Sequence, residues 1–170
     1  MATFSSSLAL LTTLLLLLLL TGPLARGSPT IDNVCRQTRD PPLCTQLITS
    51  DPRSETAPLP DIEAYTIDLA AYRAGNTKID IHNAFIRATG DLRDRYLQCE
   101  NLYLDLLDAF RAGPGELKNG EFGQLVALGE QATQAADGCE AAFSGSSPVR
   151  DGDLVVGVLG QAISVIARNL

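Results

Sequence analysis

The fold is decided by two long segments, LRDRYLQCENLYLDLLDAF at residues 92–110 and FGQLVALGEQATQAADGCEAAF at residues 122–143. In each segment apolar or small residues recur at alternating steps of three and four, which is the period of an amphipathic helix in a bundle. The two stripes are Leu92, Tyr96, Cys99, Tyr103, Leu106 and Phe110, and Phe122, Leu125, Gly129, Ala132, Ala136, Cys139 and Phe143. A bond between Cys99 and Cys139 would therefore join two antiparallel helices through their shared seam.

Helical patterns also precede these segments. Asp61 is placed to cap a helix that runs up to Gly75-Asn76, and these two residues either end that helix or kink a longer one. Its apolar face is formed by Ile62, Tyr65, Leu69 and Tyr72. Residues 78–88 continue the pattern, and the side chains predicted to point inward are Ile79, His82, Phe85 and Ile86. Thr89-Gly90-Asp91 then breaks the chain before residue 92.

A small helical hairpin is predicted nearer the N-terminus, between Asp32, placed to cap its first helix, and about Thr49. Pro41 and Pro42 remove backbone donors and bar the preceding residue from the α region, so the chain turns there. A last segment with one apolar side follows Asp151-Gly152-Asp153, and no part of the chain shows the alternation of a strand. The sequence predicts an all-α fold, an antiparallel up-down four-helix bundle preceded by an N-terminal helical hairpin.

Residues 1–27 predict a signal peptide, which leaves residues 28–170 as one mature domain. The apolar run within residues 1–27 is about 13 residues long, whereas roughly 20 are needed to cross a bilayer. We therefore expect a secreted protein with no membrane attachment after cleavage. The small residues 144–146 and the apolar tail behind them imitate a GPI-attachment signal. Polar residues interrupt that tail, which favours a fourth bundle helix.

The predicted mature chain is acidic. Without Arg26 it carries 12 basic residues against 20 acidic ones. Nucleic-acid binding depends on clustered Lys and Arg, so this balance argues against a nucleic-acid partner.

Four cysteines in a chain predicted to be secreted indicate two disulfide bonds, because the secretory route is oxidising. Of the three possible pairings we favour Cys35 with Cys44, across the proline-rich turn, and Cys99 with Cys139, on the facing helices. A zinc site needs ligands that are closer together, and the only histidine, His82, has no such partner nearby. We expect no metal and no cofactor.

The residues give little support for catalysis. A Ser-His-Asp triad would have to use His82, which lies on a predicted apolar stripe and is better explained as a core histidine. No serine stands in a Gly-x-Ser-x-Gly elbow. Carboxylate pairs such as Asp105 and Asp108 have helical spacing away from the stripe, where solvated charge explains them. The sequence therefore indicates a secreted binding protein rather than an enzyme.

The cysteines and their neighbours resemble those of the plant invertase/pectin methylesterase inhibitor family. Cys35-Arg36-Gln37-Thr38 through Pro41 to Cys44 resembles the N-terminal Cys-x-x-Thr…Pro-x-x-Cys hairpin of that family. Cys139-Glu140 followed by Ser147-Pro148 resembles its fourth-cysteine region. The resemblance covers essentially the whole predicted mature chain. It implies a four-helix bundle with the disulfide pairing given above, acting as an inhibitor.

Within the family, Asp51-Pro52, Cys139-Glu140 and Ser147-Pro148 look closest to invertase inhibitors, which implies an acid invertase as the protein partner. In that branch the loop between the second and third bundle helices enters the substrate cleft of the enzyme through a Pro-Lys-Phe element. The corresponding residues here are Pro114, Gly115, Glu116, Leu117, Lys118 and Phe122, with Pro, Lys and Phe present but separated. The resemblance implies a monomer in the cell wall or, alternatively, the vacuole.

Two other functions remain open from the sequence. One is inhibition of pectin methylesterase, in which faces of the bundle helices would cover the enzyme. The other is a non-inhibitory role as a secreted helical binding protein such as a lipid carrier. Four cysteines and an alanine-rich stripe favour tight packing over the open core that a lipid carrier needs.

Overall fold

The computed structural model describes residues 28–170, and the predicted signal peptide lies outside the described residues. Within this range the helices are α1 Pro29–Cys35, α2 Pro41–Ile48, α3 Leu59–Phe85, α4 Gly90–Phe110, α5 Gly113–Asn119, α6 Phe122–Ala142 and α7 Arg150–Ala167. A 3-10 turn, Pro52–Glu55, lies between α2 and α3. Residues 28–170 contain no β-strand, so the predicted all-α fold is confirmed.

The four long helices α3, α4, α6 and α7 form the bundle. Both α3 and α6 pack against α4 and α7, so the four helices close into a ring. Contacts across the α6–α7 pair run in opposite directions along the two helices. The Val126 carbonyl accepts a hydrogen bond from Ser164, whereas Thr133 donates one to the Gly157 carbonyl. This is the antiparallel arrangement that the short connections predict.

The two stripes that decide the fold face the core. The buried residues of α4 include Tyr96, Cys99, Tyr103, Leu106 and Phe110, and those of α6 include Leu125, Gly129, Ala132, Ala136 and Cys139. Leu92, in the first turn of α4, is the exception and is exposed. The helical period therefore predicted the inward face of both segments correctly.

Glycines let α6 and α7 approach each other closely. A Cβ atom at Gly160 would lie 2.6 Å from the carbonyl oxygen of Gly129, and one at Gly129 would clash with the backbone of α7. The Ser164 hydroxyl donates to the Val126 carbonyl at 3.0 Å, which adds a hydrogen bond across the same contact. These small residues fix the tightest helix pair of the bundle.

Helix α3 resolves one open point of the sequence interpretation and corrects one prediction. It runs through Gly75-Asn76 without a break. Its inward face matches the predicted one only in part. Ile62 is buried, and Tyr65, Leu69 and Phe85 are half-buried. The other buried residues of α3 are Glu63, Thr66, Ile67, Ala70, Ala74, Thr77 and Ile81. Tyr72, Ile79, His82 and Ile86, which the sequence places on the apolar face, are exposed. The prediction was wrong because it followed the largest apolar residues, whereas the neighbouring helices accept the smaller Ala and Thr side chains.

Helices α1 and α2 form the predicted N-terminal hairpin, which packs against α7. Ser28, and not Asp32, caps α1 by accepting a hydrogen bond from the Ile31 N–H at 3.3 Å. The disulfide Cys35–Cys44 joins the two helices. Since the helices have only seven and eight residues, they are too short to be stable alone and depend on that bond and on packing.

Candidate functional site

The connection between α4 and α6, predicted to be the contact loop, is largely the short helix α5. Pro114 fits its first turn, where a backbone N–H is not needed. Gly120 ends the helix with φ of 74°, a conformation that favours glycine. The sequence interpretation expected a loop here because the Gly-Pro-Gly cluster masked the helix.

This connection is held against the bundle. Gly113 is buried, and a Cβ atom there would lie 3.0 Å from the Leu128 side chain and 3.1 Å from that of Ile67. Helix α5 packs on α3, α4 and α6. Five of the six predicted contact residues, at positions 114–118, therefore stand on a short packed helix instead of a long protruding loop.

The six predicted contact residues divide into two groups. Pro114, Gly115 and Lys118 are exposed, whereas Glu116, Leu117 and Phe122 are half-buried. Burial, with a smaller contribution from the charge of Glu121, raises the pKa of Glu116. Pro114 and Lys118 are one turn apart on α5, but Phe122 lies beyond the turn at Gly120. Phe122 therefore begins α6 and does not share a helix with Pro114 and Lys118.

The disulfide Cys99–Cys139 cross-links α4 and α6, with a Cα–Cα distance of 4.7 Å. Together with Cys35–Cys44 it gives the pairing that the sequence favours. The α5 turn closes one end of this cross-linked helix pair. A surface carried by α4 or α6 is therefore rigid before any partner binds.

Helix α4 carries an outer apolar face that sequence reasoning missed. Leu97 and Leu104 are 43% and 44% exposed and stand seven residues apart, so they share one face. Asp94, Asn101 and Asp108 surround them and are exposed as well. We call this the α4 face. Leu97 and Leu104 each stand two residues before a residue of the cysteine stripe, Cys99 and Leu106. This second apolar repeat is the sequence signal that could have revealed the face.

A buried polar cluster lies inside the bundle, between α4 and α7. The Tyr103 hydroxyl donates a hydrogen bond to Asp153 Oδ1 at 2.7 Å. Asp153 is almost fully buried, and this burial raises its pKa to about 6. Its second oxygen, Oδ2, has no hydrogen-bond partner within the described residues. The sequence interpretation missed this cluster because Asp153 belongs to the polar segment Asp151-Gly152-Asp153, which is typical of the start of a helix.

His82, the only histidine, lies on the surface instead of in the core. Its Nδ1 atom is 2.7 Å from Glu100 Oε1, and Lys78 Nζ approaches the same carboxylate at 3.6 Å. These contacts tie α3 to α4. In residues 28–170 no group of three or more His, Cys, Asp or Glu side chains is arranged to hold a metal ion. No helix in that range is both long and apolar enough to span a membrane.

Residues 29–166 match the sequence model of the family described as "Plant invertase/pectin methylesterase inhibitor". The chain belongs to this family. Its members are inhibitor proteins rather than catalysts, in agreement with the binding role that the sequence predicts.

One protein similar to the chain is named as a pectinesterase inhibitor. A pectinesterase inhibitor from Actinidia deliciosa is 33% identical over 116 residues, which cover 68% of this chain. The chain spans 63% of the length of that relative.

Two solved structures share the fold of the chain described here. A mutant form of a pectin methylesterase inhibitor from Arabidopsis has a TM-score of 0.75 at 19% identity, covering 84% of this chain and 98% of that one. A pectin methylesterase inhibitor from Arabidopsis thaliana has a TM-score of 0.62 at 16% identity, covering 84% and 97%. At these identities the likeness shows the bundle architecture alone.

Proposed function

We propose that the protein inhibits pectin methylesterase. The observation that carries this proposal is the 33% identity to the pectinesterase inhibitor of Actinidia deliciosa. The sequence alone favoured acid invertase, and the esterase now replaces it as the first candidate. Invertase remains the second candidate, since the matched family includes inhibitors of both enzymes.

The form of the α4–α6 connection supports this choice. Invertase inhibition, as the resemblance implies it, uses a loop that enters the substrate cleft through adjacent Pro, Lys and Phe residues. Here Gly113–Asn119 is helical and packed on the bundle, and Phe122 lies beyond it. A rigid bundle can instead block the active-site cleft of an enzyme by covering it with the face of a helix.

The α4 face is the surface that we propose for the enzyme. Leu97 and Leu104 supply exposed apolar area, which specific interfaces bury at their centre. The surrounding polar and acidic side chains would form the rim. A bundle closed by two disulfides loses little conformational entropy on docking, so no catalytic group is needed for tight inhibition.

The proposal is tested by titrating the purified protein against pectin methylesterases and acid invertases at acidic pH. We expect loss of esterase activity and no effect on invertase. Leu104→Glu, which places a charge at the centre of the proposed interface, is expected to weaken inhibition at least about tenfold. Leu154→Glu is the matched control, because Leu154 is similarly exposed but lies on α7.

Three outcomes would change the assignment. Inhibition of invertase alone, lost when residues 114–118 are replaced by a Gly/Ser linker, would return the function to the loop mechanism. Unchanged inhibition by the Leu104→Glu variant would remove the α4 face from the interface. Inhibition of neither enzyme would favour a non-inhibitory binding protein.

We also infer secretion into the cell wall space. Two disulfides within residues 28–170 suit an oxidising compartment, and residues 1–27 have the pattern of a signal peptide. Expression of the full chain in plant cells should release a protein whose N-terminus, read by mass spectrometry, begins at Ser28. Retention in the vacuole would contradict the cell-wall location.

A further inference from the structure

A polar cavity of about 690 Å³ opens between the second half of α3, the start of α4 and the start of α7. A smaller hollow of about 250 Å³ adjoins it along the seam between α3 and α7. The first volume lies within the range of about 300–1,000 Å³ that is usual for small-molecule sites. We call the two together the α3–α7 groove. Its exposed polar side chains are Arg73, Asn76, Asp80, Asn83, Arg87, Arg150 and Asp151.

The packing of the bundle fixes the shape of this groove. Its polar residues between positions 73 and 87 follow one another at alternating steps of three and four, so they share one side of α3 and of the turn after it. A Cβ atom at Gly152 would clash with the Thr77 side chain, so α3 and α7 meet closely at these two residues, which line both hollows. The Tyr96 ring lies against Phe143, with 4.9 Å between the ring centroids. The groove is therefore formed before any ligand binds.

The charged side chains of the groove are not used by the fold. Arg73, Arg87, Arg150, Asp80 and Asp151 form no ion pair within residues 28–170. By contrast, ion pairs hold the arginines Arg39, Arg53, Arg111 and Arg168. Three arginines against two aspartates give the groove a net positive charge, whereas acidic residues outnumber basic ones in the chain, 20 to 13. The groove is therefore suited to a ligand that carries negative charge.

Tyr96 adds an unused hydrogen-bonding group to the larger cavity. Its side chain is only 6% exposed and lines that cavity. Its hydroxyl has no hydrogen-bond partner within residues 28–170, and it is not one of the unpartnered oxygens that are sealed from solvent, which belong to Glu63, Glu140 and Asp153. The hydroxyl therefore opens into the cavity. Buried tyrosine hydroxyls usually have a partner, which a ligand in the groove would supply.

The groove combines two kinds of recognition group. Arginine guanidinium groups bind carboxylates through paired, charge-assisted hydrogen bonds. Carboxylate and amide oxygens, here those of Asp80, Asp151, Asn76 and Asn83, accept hydrogen bonds from hydroxyl groups. A ligand that satisfies both carries carboxylates and several hydroxyl groups on one frame, which is the chemistry of an acidic sugar.

Other classes of ligand would satisfy only part of the groove. Asp80 and Asp151 would repel a compact polyanion such as phosphate, and the three arginines would repel a metal ion or an ammonium group. A neutral sugar would leave the guanidinium groups without a matching charge. An apolar ligand would remove charged side chains from water without replacing their hydrogen bonds.

We propose that the α3–α7 groove binds an acidic oligosaccharide, a short chain of uronate units. A chain is favoured over a single sugar because the smaller hollow continues the cavity and adds a third arginine, Arg73. None of the groove residues belongs to the α4 face, so the saccharide and the enzyme would use different residues. The site goes beyond enzyme inhibition and does not depend on it.

The test measures saccharide binding by isothermal titration calorimetry. The full chain, secreted and purified with its disulfides intact, is titrated at about pH 6, where uronate carboxylates are ionised. The probes are trigalacturonate, its fully methyl-esterified form, and tricarballylate, which has three carboxylates and no hydroxyl group. We expect trigalacturonate to bind at least about tenfold more tightly than either other probe, because only trigalacturonate offers both kinds of group.

Substitutions test the residues of the groove. Arg87→Gln and Arg150→Gln should each weaken trigalacturonate binding about tenfold, since each removes a charge-assisted hydrogen bond. Tyr96→Phe should weaken binding severalfold and leave urea unfolding unchanged, because the hydroxyl has no partner in the described protein. Arg36→Gln is the matched control, since Arg36 is exposed and without an ion pair but follows α1 in the N-terminal hairpin.

Four results would overturn the proposal. The first is an absence of binding up to about 5 mM trigalacturonate. The second is equal binding of the methyl-esterified form, which would show that the arginines do not recognise a carboxylate. The third is equal binding of tricarballylate, which would reduce the groove to a general anion site. The fourth is retained binding in both arginine variants, or an equal loss in Arg36→Gln, which would place the bound saccharide outside the groove.

Discussion

The clearest quantitative prediction concerns Glu63. Its side chain lies on the inward side of α3 and has no surface exposed to solvent. Neither of its oxygens has a hydrogen-bond partner within residues 28–170. Burial raises its pKa from 4.5 to about 8. Glu63→Gln keeps the shape and removes the ability to ionise, so it isolates the effect of the charge.

The direction in which pH changes the free energy of unfolding follows from the number of protons that the folded and unfolded states bind. Between pH 4.5 and about 8 the folded protein holds a proton on Glu63 that the unfolded chain has released. The free energy of unfolding therefore falls as pH rises through this window, by about 1.4 kcal/mol per pH unit. Above pH 8 the total decrease in the free energy of unfolding approaches about 5 kcal/mol. Below pH 4.5 both states are protonated and the effect vanishes.

The measurement is urea unfolding of wild type and Glu63→Gln, followed by circular dichroism at several pH values with the disulfides intact. The two proteins should be similar near pH 4.5, and the variant should be more stable by several kcal/mol at pH 8. The difference between them cancels other titrating groups such as Asp153, whose pKa is also raised. A difference that stays constant across this range would show that Glu63 is not buried in the way described.

Three further changes should lower the free energy of unfolding. Tyr103→Phe removes the hydroxyl that donates to Asp153 and should cost about 1–3 kcal/mol in urea unfolding. Replacing Cys99 and Cys139 by alanine opens a cross-link between residues 40 apart, and calorimetry should show a loss of about 4 kcal/mol. Gly129→Ala forces a methyl group against the backbone of α7 and should cost about 3 kcal/mol by thermal unfolding.

The glycine and disulfide changes each have a matched control. Gly123→Ala, also in α6, meets nothing within 4 Å, and it should be neutral or stabilising. Removing Cys35 and Cys44 opens a shorter loop and should cost less, about 3 kcal/mol. The close α6–α7 contact would be refuted if the two glycine variants were equally stable. A Tyr103→Phe variant as stable as wild type would show that its hydroxyl does not support Asp153.

The inward faces of α4 and α6 could be predicted because their stripes combine large apolar residues with cysteines at helical spacing. Helix α3 could not be oriented in the same way. It has two competing faces, one of Ala and Thr with a few Ile residues, and one with Tyr72, Ile79 and Ile86. Periodicity shows that a helix has two distinct faces, but packing against the neighbouring helices determines which face is buried.

The position of the α4–α6 connection could be predicted from the sequence, but its form could not. Residues 113–122 do connect the cross-linked helices, yet α5 is helical because Pro114 suits a first turn and Gly120 suits a helix end. The exposed Leu97 and Leu104 were not recognised, since an apolar residue in a helix is first assigned to the core. Buried Glu63 and Asp153 were missed for the opposite reason, because a carboxylate is first assigned to solvent.

The four long helices, the N-terminal hairpin and the favoured cysteine pairs could be predicted from the sequence, since these follow from local spacing and from the chemistry of proline and cysteine. The packed bundle was needed to show which surfaces stay uncovered, how closely α6 and α7 approach, and which carboxyl groups lose contact with water. Those properties depend on contacts between residues far apart in the chain. The surface proposed for the enzyme, the α4 face, therefore emerges only from the packed bundle.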